Sequence, residues 1–442
     1  MVTFFLQLRD SIEHGRVYLF TFFMLMTWTV WLWKLFLSRR YRPFTAAHEA
    51  TTSVVIPVVD EPEDLFRDVL ERIVGQHPTE IHVIINGPRN PTLERVCAEF
   101  DTVEWTWTAE AGKRNAVRIG VERSRSDIVV LVDSDTVWMP GCLDELVKPF
   151  ADPAIGGVTT RQRILDPTRH VLTRWADWME SVRNEYSMPA MSVLGTVGCL
   201  PGRTIAFRRS ILDEAMDNFM NARFLGVFLE VSDDRTLTNE TLKQGYRTVY
   251  QSTSQVYTDA PTSWRKMARQ QFRWSRGSQY NTLRMFPWMV RNTRPLAFFY
   301  LSDILLPFLL FGAVLGWISR SARGTQVDLY EGVVASHGPF KASLLIACIT
   351  VTMTLLSSAL RQSRHLRQNP GDLFRIPTFL VINTLMLMPI RLLGFVRMAH
   401  NAGWGTRAGG FSGEQEQARN WRSSVPPLVA ASLVVVALLV QR

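Results

Sequence analysis

Long apolar segments near the start and over the last third of the chain constrain its fold most strongly. About 20 apolar residues in a helix span the ~30 Å hydrocarbon core of a bilayer. Residues 17–37, 296–318 and 342–360 reach this length, and residues 425–440 form a shorter apolar run. We therefore predict membrane helices at these four places, and a purely soluble protein is not expected.

The charges around the first apolar segment predict its orientation. Basic residues follow this segment, whereas a cleaved signal peptide would carry them before it. Since basic loops stay inside the cell, we expect an uncleaved anchor followed by a cytosolic domain, in an integral plasma membrane protein. Residues 376–396 are also apolar, but a crossing there would place the arginines that follow outside. We predict an interfacial or re-entrant segment at 371–400, with a true span as the alternative.

The net positive charge does not require a nucleic acid partner, and the lipid bilayer is the partner expected from the apolar segments. The chain has 49 Lys and Arg against 40 Asp and Glu, a formal net charge of +9. Many of the basic residues flank apolar runs, which is typical of membrane proteins. The four cysteines lie far apart without metal-ligand spacing, so neither a disulfide framework nor a zinc site is predicted.

Short apolar runs alternate with helical patterns between the first and second membrane segments. Continuous apolar runs of this kind are typical of strands buried on both faces of a parallel sheet. No glycine-rich dinucleotide motif and no Walker lysine loop is present. The alternation predicts βαβ units, with strands at 53–59, 81–85 and 127–132 and helices at 61–75, 90–99 and 112–123.

Polar residues follow the ends of these predicted strands. Asp60 and Glu61 come after the first strand, Asn86 after the second, and Asp133 and Asp135 after the third. Ligands of parallel sheets bind beyond the carboxyl ends of the strands. The D-x-D spacing offers carboxylate oxygens to a hard divalent cation bridging a diphosphate, whereas a helix cap or solvated turn is the plain alternative.

A second group of polar residues lies further along the chain. Asp233 and Asp234 open a helical stretch, and Gln270, Arg273 and Trp274 follow on another helix. At helical spacing the last three share one face, so an amide, a guanidinium and an indole are presented together. The alternative is an amphipathic helix whose tryptophan anchors the membrane interface, which leaves the acidic residues unexplained.

In this order and with these flanking membrane segments, the residues resemble the membrane-embedded family 2 glycosyltransferases. The resemblance is greatest to hyaluronan synthases and their bacterial capsule and fungal relatives. The runs 112–116 (G-K-R-x-A), 233–239 (D-D-R-x-L-T-N) and 404–407 (W-G-T-R) recur there. The similarity covers roughly residues 50 to 410.

The resemblance implies an α/β fold, with a cytosolic GT-A nucleotide-sugar domain inserted between transmembrane and interfacial helices. The implied boundaries are 1–44 for the first membrane region, 45–260 for the GT-A domain, 261–295 for interfacial helices with Q-x-x-R-W, and 296–442 for the C-terminal membrane region. It also implies inverting transfer from a UDP-sugar to a growing glycan, with Mn²⁺ or Mg²⁺ as cofactor and export by the same chain. Transfer of a single sugar to a lipid acceptor is the alternative.

The resemblance also implies roles for individual residues. Asp234 would be the general base, with Asp233 as the other possibility, and Asp135 would bind the metal. The implied donor-binding residues are Asp60, Lys113, Asp133, Asp135, Arg273 and Arg407. The implied acceptor-binding residues are Gln270, Trp274 and Arg203, and Trp404, Thr406 and Arg407 would form a gating loop.

Two positions depart from the hyaluronan synthase pattern. Asn86 stands where relatives commonly have Asp, and residues 202–204 (G-R-T) replace the usual Gly-Pro-Leu of the acceptor-side loop. The G-R-T run is more similar to the corresponding loop of the capsule-type and fungal relatives. The identity of the sugar therefore stays open.

Overall fold

The computed structural model describes residues 2–325, 329–400 and 421–441. The chain divides into two compact units. One contains the described residues of 34–297 and 397–424, and the other those of 1–33, 298–396 and 425–442. The strands are β1 Thr52–Val58, β2 Glu80–Asn86, β3 Glu104–Thr108, β4 Ile128–Val132, β5 Thr136–Trp138, β6 Ile155–Ile164, β7 Thr204–Arg208, β8 Arg223–Phe224, β9 Val227–Phe228 and β10 Arg247–Thr258.

The helices alternate with the strands in the first unit and dominate the second. Short 3-10 or π turns occur at Lys148–Ala151, Arg183–Ser187, Pro370–Arg375, Asn383–Leu387 and Trp421–Ser424. The helices are α1 Val2–His14, α2 Leu19–Ser38, α3 Glu63–Val74, α4 Pro91–Ala98, α5 Lys113–Arg123, α6 Cys142–Val147, α7 Val171–Val182, α8 Met188–Val193, α9 Arg209–Met220, α10 Asp233–Lys243, α11 Trp264–Asn292, α12 Arg294–Arg323, α13 Glu331–His337, α14 Pro339–Arg361, α15 Ser363–Gln368, α16 Ile376–Ile382, α17 Met388–Val396 and α18 Val425–Val440.

A mixed sheet organises the first unit. Eight of the described strands pair in the order β3-β2-β1-β4-β7-β6-β10-β5. β3, β2, β1 and β4 run parallel, and β7 joins β4 and β6 in antiparallel pairs. β10 pairs with β6 in parallel and with β5 in antiparallel orientation. The chain leaves β1 for β2 on one side and returns to β4 on the other, so the topological switch that commonly binds ligands lies at the carboxyl ends of β1 and β4.

The core of the first unit lies around β1, β2 and β4. These strands bury nearly every side chain, as expected for a parallel sheet covered on both faces. Phe66 and Leu70 of α3 and Trp138 of β5 are fully buried in the same core. At ~1.5 to 3 kcal/mol for each large apolar side chain, this burial stabilises the sheet that carries the polar strand ends.

The predicted strands and helices of the βαβ half are confirmed with shifts of one or two residues. The structure adds the edge strand β3, Glu104–Thr108, whose side chains are exposed or half-buried on both faces. A strand with few buried side chains lacks the apolar run that revealed its neighbours.

The helices of the second unit agree with the membrane segments that the sequence predicted. By length and composition, five described segments could cross a membrane. Four of them contain or overlap the predicted spans, and the fifth, Pro370–Val396, overlaps the segment predicted to be interfacial. Its length and apolar character fit either position, so the interfacial placement stays a prediction. The five are Leu19–Ser38, Arg294–Arg323, Pro339–Arg361, Pro370–Val396 and Trp421–Val440.

Aromatic and polar contacts connect the helices of this second unit. Trp33 of α2 contacts Phe298 and Phe299 of α12, with ring centroids 5.6 and 5.3 Å apart. Phe308 of α12 meets Phe395 of α17 edge to face at 5.1 Å. Such pairs contribute ~0.5 to 1.5 kcal/mol beyond their buried area.

Candidate active site

One end of the candidate site lies where β1 and β4 end. Ser134, in the turn after β4, donates a hydrogen bond of 2.8 Å to Glu61, which joins this turn to the one after β1. Asp60, next to Glu61, is exposed, whereas Asp133 and Asp135 are partly buried on either side of Ser134. The structure therefore brings the predicted strand-end carboxylates to one edge of the sheet.

Lys113 is placed at this edge by the first turn of α5. Its ammonium donates a hydrogen bond to Asp133 Oδ1. Burial alone would lower the pKa of Lys113, but the carboxylates of Asp133, Asp233 and Asp234 raise it above its ordinary value. The side chain consequently stays protonated and offers a fixed cation to an anionic ligand.

Asp234 lies on the first turn of α10 and accepts several hydrogen bonds. The backbone N–H groups of Arg235 and Gly202 donate to its two carboxylate oxygens at 2.7 and 3.2 Å, and Ser232 Oγ donates at 3.2 Å. Burial nevertheless raises the pKa of this carboxyl, with Asp233 adding to the effect. A raised pKa makes the carboxylate a stronger proton acceptor than an ordinary aspartate.

Asp233 has a different environment from its neighbour. Its Oδ1 accepts a hydrogen bond of 2.7 Å from Arg114 Nε, and Arg114 Nη1 donates to the carbonyl of Phe219 at 2.7 Å. Both side chains of the ion pair are buried, with Arg114 only 1% exposed. Asp233 therefore anchors α10 to α5.

Gly202 lies close to side chains from three parts of the candidate site. A Cβ placed on this glycine would lie 3.4 Å from Asp234 Cβ, 3.8 Å from Lys113 Nζ and 3.9 Å from Asp133 Oδ2. The next residue, Arg203, accepts a hydrogen bond on its carbonyl from the N–H of Asp133 at 3.1 Å. The loop before β7 thus connects three parts of the chain that the sequence separates widely.

The Q-x-x-R-W helix, α11, is fixed against α10. Gly277 allows this contact, since a Cβ there would approach Ser232 Cβ to 2.5 Å. Ser232 itself has a left-handed backbone, with φ of 64°, just before the two aspartates. Arg235 donates hydrogen bonds of 3.0 Å to the carbonyl of Ser278 and 2.7 Å to Thr282 Oγ1. These contacts set the position of α11 relative to Asp234.

The predicted acceptor residues lie on α11 and on the loop before β7. Gln270 and Arg273 are partly buried, and Trp274 is exposed. The guanidinium carbon of Arg203 lies 5.8 Å from the ring centroid of Trp274. The structure therefore joins two of the predicted acceptor residues, Arg203 and Trp274, in one contact.

Some site residues were not identified by sequence reasoning, and others lie outside the described residues. Trp404, Thr406 and Arg407 of the predicted gating loop belong to the latter. The Arg114–Asp233 pair was missed because its partners are 119 positions apart. Asn86, which departs from the family pattern, is buried and donates a hydrogen bond of 3.2 Å to the carbonyl of Gly112, next to Lys113.

The predicted metal ligand, Asp135, lies in the turn after β4. Within the described ranges, no group of three or more His, Cys, Asp or Glu side chains could hold a metal ion alone. A cation on a nucleoside diphosphate needs only one or two carboxylates, because phosphate oxygens and water supply the other ligands. Asp133 and Asp135 fit this arrangement.

Comparisons with known proteins identify relatives of the chain. The chain is 25% identical over 386 residues to a hyaluronan synthase of Streptococcus pyogenes, covering 85% of this chain and 87% of the relative. It is 27% identical over 366 residues to an N-acetylglucosaminyltransferase of Mesorhizobium japonicum, covering 81% and 82%.

A solved structure has the same fold. It is a mannosyltransferase from Pyrobaculum calidifontis in complex with GDP-Man and Mn²⁺, with a TM-score of 0.55 and 17% identity, covering 88% of this chain and all of that one. The predicted GT-A fold is thereby confirmed. The model of the family described as "Glycosyltransferase like family 2" matches residues 48–277, just over half of the chain. The chain therefore belongs to glycosyltransferase family 2.

Proposed function

We propose that the chain is a processive inverting glycosyltransferase, which polymerises sugars from UDP-sugar donors and exports the polysaccharide across the membrane. The observation that carries this proposal is the convergence of Lys113, Asp133 and Asp234 around Gly202. A cation and carboxylates for the donor thus lie beside a carboxylate of raised pKa. The Arg203–Trp274 contact continues from the same loop towards the acceptor.

The donor end would bind the nucleotide of the UDP-sugar. Asp60 would contact the base, while Lys113 and Asp133 would hold the sugar nucleotide at the end of β4. A Mn²⁺ or Mg²⁺ ion held by Asp135 would neutralise negative charge on the diphosphate. Arg273 would contribute a planar guanidinium, which can bind phosphate oxygens in pairs.

Asp234 would act as the general base. It would accept the proton of an acceptor hydroxyl while that oxygen attacks the anomeric carbon of the donor. The bond from the anomeric carbon to the diphosphate oxygen breaks in the same step, so UDP leaves and the configuration inverts. A base within hydrogen-bond reach typically contributes ~10² to 10⁴-fold to such a step.

The acceptor would be the non-reducing end of the growing glycan. Trp274 would stack on the apolar face of a sugar ring and Gln270 would contact its hydroxyls. The basic residues after the first membrane segment support a cytosolic catalytic domain. The membrane helices would then pass the product outwards, and Trp404, Thr406 and Arg407 would close over the donor.

A donor panel tests this proposal. The full chain in lipid nanodiscs would receive UDP-glucose, UDP-N-acetylglucosamine and UDP-glucuronate, singly and in pairs, with release of UDP and product size measured. We expect a long polymer with one donor or one pair, its loss with EDTA, and its recovery with Mn²⁺ or Mg²⁺. The Asp234→Asn variant is the inactive control.

Each outcome of the panel is informative. A single sugar on lipid would favour the non-processive alternative, with which the N-acetylglucosaminyltransferase relatives are also compatible. Full activity in EDTA would contradict the metal proposal. The absence of UDP release with every donor would contradict the function as a whole.

A further inference from the structure

Trp274 is exposed and supported by a cation. The side chain is 40% exposed, although a large aromatic residue is usually buried. The guanidinium of Arg203 lies over its ring, within the ~6 Å that a favourable cation–π contact requires. Arg203 thus lies against the indole, and Trp274 still keeps a large accessible surface.

Arg203 is itself held by two buried groups. Its Nη1 donates hydrogen bonds of 2.8 Å to Glu180 Oε1 and 3.2 Å to Gln162 Oε1. The side chain of Arg203 is 11% exposed and that of Glu180 is 8% exposed. Glu180 lies on α7 and Gln162 on β6, so regular secondary structure on both sides restrains the guanidinium.

Glu180 is shared between two cations. Its Oε2 lies 2.7 Å from Arg183 Nη2, which also donates a hydrogen bond of 2.9 Å to Gln162 Oε1. One carboxylate and one amide oxygen therefore restrain two guanidinium groups. Breaking a buried ion pair is costly because it leaves a charge uncompensated, so Arg203 is not free to rotate away from Trp274.

We propose that Glu180 and Gln162 are positioning residues, which act through Arg203 to fix the indole of Trp274 as a platform for the acceptor sugar. This inference rests on the proposed function. A platform that is already ordered spares the cost of immobilising a side chain when the acceptor binds. It also holds the attacking hydroxyl in line with the donor. Of Glu180, Gln162, Arg203 and Trp274, only Trp274 touches the acceptor in this scheme.

Kinetics with a separate acceptor test the proposal. Oligosaccharides cut from the wild-type polymer would serve as acceptors, and KM for acceptor and donor would be measured separately. For Arg203→Gln and Glu180→Gln we expect acceptor KM to rise about tenfold, with donor KM within about twofold of wild type. Arg203→Lys should recover part of the loss, because it keeps the cation without the planar fork.

A matched control is available in the same unit. Arg208 lies 5.4 Å from the ring of Phe150 and donates hydrogen bonds to three carbonyls, away from the residues proposed to bind sugar. Arg208→Gln should lower stability without changing the ratio of acceptor to donor KM. An unchanged ratio in Arg203→Gln and Glu180→Gln would overturn the inference.

The outcomes separate this inference from the proposed function. A wild-type chain that transfers no sugar contradicts the proposed function itself. Normal transfer by the wild type, together with unchanged acceptor KM in the Arg203 variants, contradicts only the inference that Arg203 positions Trp274. Should Arg203→Gln fail to fold, Glu180→Gln provides the same comparison.

Discussion

The loop at Gly202 and the buried Arg114–Asp233 ion pair place two adjacent aspartates in different surroundings. Asp234 lies beside Gly202, and burial raises the pKa of its carboxyl. Asp233 faces the interior, where Arg114 compensates its charge at 2.7 Å. Burial therefore accompanies a raised pKa at Asp234 and an ion-paired anchor at Asp233, and the difference is the guanidinium that stands beside Asp233.

The largest expected effect is loss of activity in Asp234→Asn. The amide cannot accept the proton of the acceptor, so we expect kcat to fall ~10² to 10⁴-fold. Donor affinity and melting temperature should not fall. UDP release and UDP-sugar binding are the measurements, and the exposed Asp213→Asn is the matched control. Near-normal turnover in Asp234→Asn would contradict the proposal that Asp234 is the general base.

The converse variant, Asp233→Asn, is expected to act on stability. It leaves the Arg114 guanidinium buried without its counter-charge, at a cost of about 3 to 5 kcal/mol. For a domain of this size we expect the melting temperature to fall by roughly 10 °C or more. The double variant Asp233→Asn, Arg114→Met should recover part of this loss. A stable but inactive Asp233→Asn would make the two aspartates more alike than their surroundings indicate.

Gly202→Ala tests the surroundings of Asp234 without changing the Arg114–Asp233 ion pair. The added methyl would stand at ordinary contact distances of 3.4 to 3.9 Å from Asp234, Lys113 and Asp133, so the fold should tolerate it. It would displace the reacting groups slightly, and we expect about a tenfold fall in kcat/KM. Thermal unfolding should be nearly unchanged. Wild-type kcat/KM would indicate that substrates do not approach this loop.

The smallest effect concerns the pH dependence of stability. Since the folded pKa of Asp234 is raised, its contribution to stability is present at low pH and is lost as the pH rises through that pKa. Asp234→Asn should therefore melt slightly higher than wild type at neutral pH, by less than the loss in Asp233→Asn. Thermal unfolding at neutral and acidic pH measures this, and the gain should vanish on acidification. A gain that persists at acidic pH would contradict the assigned pKa direction.

The sequence predicted the parts of the site that depend on local pattern. Apolar strands with polar ends located Asp60, Asp133 and Asp135, and helical spacing placed Gln270, Arg273 and Trp274 together. The contacts between distant segments were not predicted, because nothing in the local pattern links Arg114 to Asp233 or Glu180 to Arg203. The role of Gly202 also stayed hidden, since close approach depends on the tertiary structure and not on neighbouring residues.

The residue after Gly202 has a consequence for engineering. The carbonyl of Arg203 accepts a hydrogen bond from the N–H of Asp133, in the turn that carries the proposed metal ligand Asp135. Its side chain contacts the indole of Trp274. Under the proposed function, a change in this loop that shifts the backbone would alter the binding of the donor sugar and of the acceptor sugar at once. Attempts to change the specificity for the donor sugar should therefore leave residues 202–204 intact. Otherwise a second substitution in the proposed acceptor site should compensate for the change.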